Sequence, residues 1–162
     1  MLIREATAQD WDRIWPFWSR IVSAGDTYAW DPDTDEPAAR ALWMAPSHRV
    51  FVVEDEDEDG TLVASAYLRP NYGGPAAHIA NAGFMVDPEQ TGRGIGRRLA
   101  EYVIDRARRD GYAGMVFNAV VETNPATRLW ETLGFRVLGT VPGAFRHPEH
   151  GTVGLNIMFR EL

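Results

Sequence analysis

The chain contains no cysteine. That excludes a disulfide framework, a thiolate nucleophile and any cysteine-ligated zinc, and it fits a cytoplasmic protein. No apolar run approaches the ~18 to 20 residues that cross a bilayer. The first residues, Met1 to Asp10, have neither the basic segment nor the apolar core of a secretory signal. Positive charge is also in short supply: 16 basic side chains against 23 acidic ones leave a net charge of −7. A phosphate backbone is bound by a basic face, so nucleic acid is not the expected partner, and neither is a membrane. No Gly-Lys-Ser or Gly-Lys-Thr occurs, which removes the nucleoside-triphosphate loop. No linker, repeat or low-complexity stretch divides the chain, and 162 residues suit one domain spanning 1–162.

What is present reads as a succession of short elements. Leu2 to Glu5 predicts a first strand. Thr7 followed by Asp10 marks a helix start in capping-box style, and Trp11, Ile14, Trp15, Trp18, Ile21 and Val22 recur on one helical face. Pro16 inside that pattern predicts a kink or two abutting helices. A loop rich in turn formers and aromatics runs from Gly25 to Pro32, and a short helix follows from Glu36 to Met44. Arg49 to Glu54 and Thr61 to Arg69 predict two strands joined by a tight turn at Asp59-Gly60. The acidic run from Glu54 to Asp59 reads as the solvated tip of that hairpin. His78 to Val86 predicts a third long strand. Gly94 to Arg109 predicts a helix with Ile95, Leu99, Tyr102 and Val103 inward and Gly111 just past its end. Gly114 to Val121 is a nearly continuous apolar run, as in a central strand covered on both faces. Ala126 to Leu133 predicts a helix, and Phe135 to Val141 with Val153 to Arg160 a closing hairpin around a long loop. The order β-α-α-β-β-β-α-β-α-β-β implies an α/β fold, a mixed sheet with helices on both faces.

The chemistry is concentrated between a strand and a helix, in Gln90-Thr91-Gly92-Arg93-Gly94-Ile95-Gly96-Arg97-Arg98. Glycines at alternate positions let a backbone curl closely round a ligand. The free N–H groups and positive end of the following helix attract an anion, and Arg93, Arg97 and Arg98 add mobile positive charge at the rim. A diphosphate is the expected occupant. A dinucleotide loop would need G-x-G-x-x-G after the first strand, whereas here G-x-G-x-G follows several strands. Gly94-Ile95-Gly96 instead resembles the pyrophosphate loop of the GNAT superfamily of N-acetyltransferases: Arg or Gln, two residues, Gly, any residue, then Gly or Ala. Thr91 stands where that loop has Arg or Gln, and Gln90 lies one residue early. Asn124-Pro125-Ala126-Thr127-Arg128-Leu129-Trp130-Glu131-Thr132-Leu133-Gly134-Phe135 resembles the second signature of the superfamily, an Asn before Leu-Tyr or Leu-Trp and then Leu-Gly-Phe. Its spacing from Asn124 to Trp130 is one residue shorter than the usual pattern. A narrower likeness lies in His78-Ile79-Ala80-Asn81-Ala82-Gly83-Phe84-Met85-Val86, Phe117-Asn118-Ala119-Val120-Val121, Thr123-Asn124 and Arg69-Pro70-Asn71-Tyr72. These segments resemble the azetidine-2-carboxylate/proline-analogue N-acetyltransferases of fungi and their bacterial relatives.

The resemblance implies the GNAT fold, a mostly antiparallel twisted sheet of six to seven strands with one parallel pair that splays apart. It also implies acetyl-coenzyme A (acetyl-CoA) as cofactor, lying between the strands at His78 to Val86 and Gly114 to Val121. Backbone groups of Phe84, Met85 and Val86 would hold the pantetheine arm and polarise the thioester carbonyl. Thr91, Gly92, Arg93, Gly94, Ile95, Gly96, Arg97 and Arg98 would surround the diphosphate, with Asn124 and Trp130 beside the arm. The acetyl group is expected to pass directly to the amine of a small molecule in a ternary complex, because without cysteine no acetyl-thioenzyme can form. The amine must be neutral to attack, and His78, Glu54 and Glu122 are the candidate bases. The family's tyrosine acid is Trp130 here, whose indole supplies no proton, so Tyr28 or solvent is left to protonate the thiolate and Asn124 to stabilise it. Asn81 and Asn118 stand on the splayed strands either as cross-links or as binding groups for an imino or amino acid such as azetidine-2-carboxylate or hydroxyproline. Tyr28, Trp30 and Phe145 complete the expected substrate rim. His147-Pro148-Glu149-His150 falls in a hairpin loop without a further ligand, and no metal is expected. Three alternatives stay open: a detoxifying acetyltransferase for an antibiotic, a phosphinothricin-like amine or a polyamine; a peptide-acetylating enzyme; and a CoA-binding sensor without turnover. The apolar run from Leu155 to Phe159 permits a homodimer through the C-terminal strands.

Overall fold

The computed structural model describes residues 1–56 and 60–162. The turn expected at Asp59-Gly60 and the acidic tip before it fall partly on 57–59, outside the described residues. The strands are β1 (Leu2–Glu5), β2 (Arg49–Asp55), β3 (Thr61–Pro70), β4 (Ile79–Val86), β5 (Gly114–Val121), β6 (Arg136–His147) and β7 (Gly151–Glu161). The helices are α1 (Trp11–Ala24), α2 (Glu36–Trp43), α3 (Ile95–Arg109) and α4 (Thr127–Thr132). The strands form one seven-stranded sheet in the order β1-β2-β3-β4-β5-β7-β6. Every described pairing is antiparallel except that of β4 with β5.

Successive side chains of a strand point to opposite faces, and the apolar residues of β2 use both. Phe51 and Val53 join Leu99, Val103 and Ile104 of α3 and Trp130 of α4 in one core. Val50 and Val52 join Trp11, Ile14, Phe17 and Trp18 of α1 and Trp43 of α2 in a second. The sheet is therefore covered on both faces, as the GNAT resemblance implied. No helix among the described residues is long and apolar enough to cross a membrane.

Several boundaries differ from the sequence reading for physical reasons. A 3-10 turn at Ala8–Asp10 leads into α1, which runs without interruption through Pro16. Proline removes the N–H that would bond the carbonyl of Asp12. Both residues lie on the exposed side, where water can take that carbonyl. The Asp10 carboxylate accepts from the Thr7 N–H at 2.7 Å, the contact expected of a capping box, and Arg4 donates to its two oxygens at 2.8 Å each. Phe17 is fully buried on the α1 stripe, whereas Trp15 and Ile21 are only half-buried. Tyr102 stands on the exposed side of α3 rather than inward, its ring packing edge-on to Phe51 at 5.6 Å. The closing hairpin is longer than expected: His147 ends β6 instead of sitting in a long loop, and only 148–150 turn the chain. Bulges between Val137 and Gly139 and between Val141 and Phe145 absorb the extra residues of β6.

The feature that positions the site is a break at the centre of the sheet. β4 and β5 pair only through Ile79 with Gly114 and Ala80 with Met115. Beyond that point β4 keeps its register with β3 as far as Val86, while β5 follows β7 through a bulge between Phe117 and Val120. The facing backbone groups of the two parted strands must find other partners.

Candidate active site

A cavity of about 740 Å³ opens at this break and reaches both faces of the sheet. Val86, Thr91, Gly96, Leu129 and Trp130 line it on the α3/α4 side, and Tyr28, Trp30, Tyr67, Arg69 and Asn81 on the α1/α2 side. Phe84 and Met85 of β4 also line it, with Asn118 of β5 and Asn124 of the loop after it.

Phe84 turns its backbone into the opening. The Tyr28 hydroxyl donates to the Phe84 carbonyl at 2.7 Å and accepts from the Phe84 N–H at 3.0 Å. One phenol thus makes both bonds that a neighbouring strand would otherwise supply. Tyr28 belongs to the loop after α1 and is held by aromatic packing. Trp30 stacks on it at 4.8 Å, and Trp18 stacks on Trp30 at 5.5 Å. Burial pushes the Tyr28 pKa far above its usual value, with Tyr67 adding to the rise and the Phe84 backbone opposing it. The phenol is therefore protonated at neutral pH and cannot serve as a base.

The asparagines of β4 and β5 differ. Asn81 is buried, donates from Nδ2 to the Val116 carbonyl at 2.9 Å and accepts on Oδ1 from the Tyr67 hydroxyl at 3.3 Å. It continues the β4–β5 connection by one side-chain rung just past the last backbone pair, which is the cross-linking role. Asn118 is exposed and donates to Asn71 Oδ1 at 2.7 Å. Opposite Tyr67 on β4 stands Gly83, where an added Cβ would lie 2.4 Å from the tyrosine ring. Glycine there lets the ring lie across the strand. Neither Tyr67 nor Gly83 stood out in the sequence. The available signal was their cross-strand pairing, which needs the register. Arg20, Asp26 and Arg69 also line the cavity unforeseen, and Asp26 is the one carboxylate among the described lining residues.

In the glycine loop, Gly92 and Gly94 hold left-handed φ angles of 81° and 74°, a region open to glycine at little cost. Gly94 caps α3, whose first-turn N–H groups have no partner within the helix. Thr91 and Gly96 line the cavity, Ile95 is buried in the core, and Gly92, Arg93, Gly94, Arg97 and Arg98 lie outside it on the exposed surface. The rim charge is less mobile than expected. Arg93 pairs with the fully buried Asp55 at 2.6 Å and with Gln90 Oε1 at 2.5 Å. Arg97 bonds Thr132 Oγ1 at 2.7 Å and Glu101 at 3.4 Å. Arg98 is exposed and makes no ion pair among the described residues.

Other expected site residues are scattered. Asn124 accepts on Oδ1 from the Ala126 N–H at 2.9 Å, closing a turn before α4, and lines the cavity. Trp130 is buried between Phe84 at 5.0 Å and Phe117 at 4.9 Å. His78 is exposed and does not line the cavity: it precedes the end of β4 where the parallel pair is still joined, and strand direction puts the opening at the far end. Phe145 is buried on β6, the edge strand, two strands away from β5. Glu54 is tied to Arg4 at 2.8 Å and Arg13 at 3.5 Å, and Glu122 accepts from the Gly154 N–H at 2.7 Å. None of the three expected bases lines the cavity.

Residues 8–135 match the model of the acetyltransferase (GNAT) family. The chain belongs to that family. The match takes in the glycine loop, the parted strands and α4 of this family member, and it ends as β6 begins. N-acetyltransferase aca1 of Schizosaccharomyces pombe is 42% identical over 91 residues, 56% of this chain and 44% of that protein, so the match spans less than half the relative's length. A GCN5-related N-acetyltransferase from Kribbella flavida superposes with a TM-score of 0.94 at 52% identity, covering 99% of this chain and 97% of the other. The yncA protein of Salmonella typhimurium, whose structure contains its cofactor acetyl-CoA, superposes with a TM-score of 0.80 at 26% identity, covering 100% and 94%.

Proposed function

We propose that the chain transfers an acetyl group from acetyl-CoA to the amine of a small imino or amino acid, by direct attack in a ternary complex. The observation that carries this reading is the cavity through the parted β4 and β5, which joins the glycine-loop face to the aromatic α1/α2 face. The residues present fit the cofactor. Left-handed Gly92 and Gly94 open the loop backbone ahead of the positive end of α3, which suits a diphosphate. The unpaired stretch of β4 offers peptide groups to the amides of a pantetheine arm. Acetyl-CoA supplies an activated thioester. Phe84 supplies an N–H donor for its carbonyl oxygen, and such a preorganised donor contributes about 3 kcal/mol as charge develops.

Tyr28 and a thioester carbonyl cannot both use that N–H, so the tyrosine gives it up on binding. Its phenol, kept protonated by burial, then stands at the reaction centre as a hydrogen-bond donor to the departing thiolate, which solvent protonates. Asp26 replaces His78, Glu54 and Glu122 as the side-chain base for the attacking amine. Asn118, with Trp30, contributes to the acceptor side, and Asn81 shapes it by bracing the two strands. Thiol release from acetyl-CoA across azetidine-2-carboxylate, cis-4-hydroxyproline, common amino acids, phosphinothricin, polyamines and a peptide N-terminus tests the reading. Turnover only on polyamines or peptides would keep the transferase and reject this acceptor. A CoA-binding sensor is favoured by one observation, Trp130 at the family's tyrosine position, and tight acetyl-CoA binding without thiol release on any amine would establish it.

A further inference from the structure

Two arginines line the cavity, and they are partnered very differently. Arg20 of α1 is neutralised by Asp87 at 2.9 Å and Glu89 at 2.6 Å. Arg69 of β3 is half-buried and makes no ion pair among the described residues, in a chain whose acidic groups outnumber its basic ones by 23 to 16. A cation withdrawn from water without a counter-charge is costly. The groups around it are neutral or unable to compensate. Arg69 faces Asn81 in the β3–β4 register and shares a face with Tyr67, whose hydroxyl it approaches. Beyond Tyr67 lies His48, stacked on that ring at 4.5 Å. Burial first, and then the Arg69 charge, hold its pKa below the usual value, opposed by the Trp43 carbonyl. The Asn81 amide is already engaged with Val116 and Tyr67. The guanidinium is therefore the group on the acceptor side with unmet demand for an anion.

We propose that Arg69 recognises a carboxylate carried by the acceptor, so that this site takes α-amino or α-imino acids and discriminates against polyamines and other cations. The inference rests on the transferase reading above and narrows its acceptor. A guanidinium binds a carboxylate through paired N–H donors. Arg69 lies opposite Asn81, beside the end where β4 and β5 are still joined, and Phe84 lies further along β4. An acid group anchored at Arg69 directs the neighbouring amine toward Phe84.

The test compares azetidine-2-carboxylate, L-proline and L-methionine with their primary amides, and with spermidine, following thiol release from acetyl-CoA by wild type, Arg69→Gln and Arg69→Lys. The wild type is expected to prefer each accepted acid to its amide. Arg69→Gln should reduce that acid-over-amide ratio of kcat/KM by about 10- to 100-fold, the range for losing a charged hydrogen bond, chiefly through KM. Arg69→Lys should retain part of it. A purely structural role would lower acid and amide together and leave the ratio unchanged, which overturns the inference. Wild-type turnover confined to amides or spermidine, or no turnover of any acid, overturns it too. Acetyl-CoA protection against thermal unfolding is measured alongside. Its absence in the wild type, or its presence with no thiol release on any acceptor, strikes the transferase reading itself, and its retention in Arg69→Gln shows that the variant is folded.

Discussion

Replacing Tyr28 with phenylalanine removes one oxygen that makes two hydrogen bonds to Phe84, at 2.7 and 3.0 Å. A neutral hydrogen bond contributes about 0.5 to 1.5 kcal/mol net. Because the tyrosine is half-buried and water can reach part of the opening, the lower half of the summed range applies, about 1 to 2 kcal/mol. Without acetyl-CoA the variant should melt roughly 2 to 8 °C below the wild type. The cofactor has the opposite effect. If the thioester carbonyl takes the Phe84 N–H from Tyr28, the wild type must break the 3.0 Å bond on binding and the variant need not. Tyr28→Phe should then bind acetyl-CoA about 2- to 5-fold more tightly by isothermal titration, while turnover falls by about 100-fold or more for want of the phenol beside the departing thiolate. Tighter binding with slower turnover is a combination that simple damage to the site would not produce. An unchanged Kd, together with the same loss of Tm with and without acetyl-CoA, would show that the hydroxyl keeps its bonds in the complex and refute the exchange at Phe84.

Asp26→Asn should lower kcat/KM by about 100-fold at neutral pH; an unchanged kcat/KM would assign the proton to water. Gly83→Ala drives a methyl to 2.4 Å from a Tyr67 ring already packed by Trp43 at 5.0 Å and His48 at 4.5 Å. It should cost about 1 to 3 kcal/mol, read as a Tm lowered by roughly 2 to 12 °C. Asp10→Asn breaks the paired contact with Arg4 and weakens the cap on Thr7, and should cost about 2 to 3 kcal/mol in urea unfolding. Hydrogen bonds from Arg4 chiefly, opposed by burial and helped by Thr7, hold the Asp10 carboxyl below its ordinary range. The wild type therefore keeps this contribution above about pH 4 and loses it as pH falls further, and Asp10→Asn should flatten that acid slope.

The parts of this molecule legible in its sequence are those set by near neighbours along the chain. The Gly92 and Gly94 positions declared a tight loop because a left-handed backbone is open to glycine, and the capping pair Thr7 and Asp10 is a contact within one turn. The apolar period of α3 placed Ile95, Leu99 and Val103 in the core, although it could not tell that Tyr102 lies past the edge of the buried stripe. His78, a candidate base, lies beside the motif strand in sequence, but closeness in sequence carries no information about which end of a strand pair is open.

The sequence by itself determined the order of elements, the anion loop at the head of α3 and, through the likeness of its two motifs, the GNAT fold. The tertiary structure alone decided which groups meet at the break. The bond from Asn81 to Val116, the ion pair from Arg93 to Asp55, the grip of Tyr28 on Phe84 and the lack of an ion pair at Arg69 among the described residues each depend on strand order, register and facing. Those are settled only when both sides of the sheet are packed at once. A local pattern fixes backbone angles over a few residues, whereas a hydrogen-bond partner dozens of residues away is chosen by the global arrangement that buries the most apolar surface and leaves the fewest polar groups unpaired.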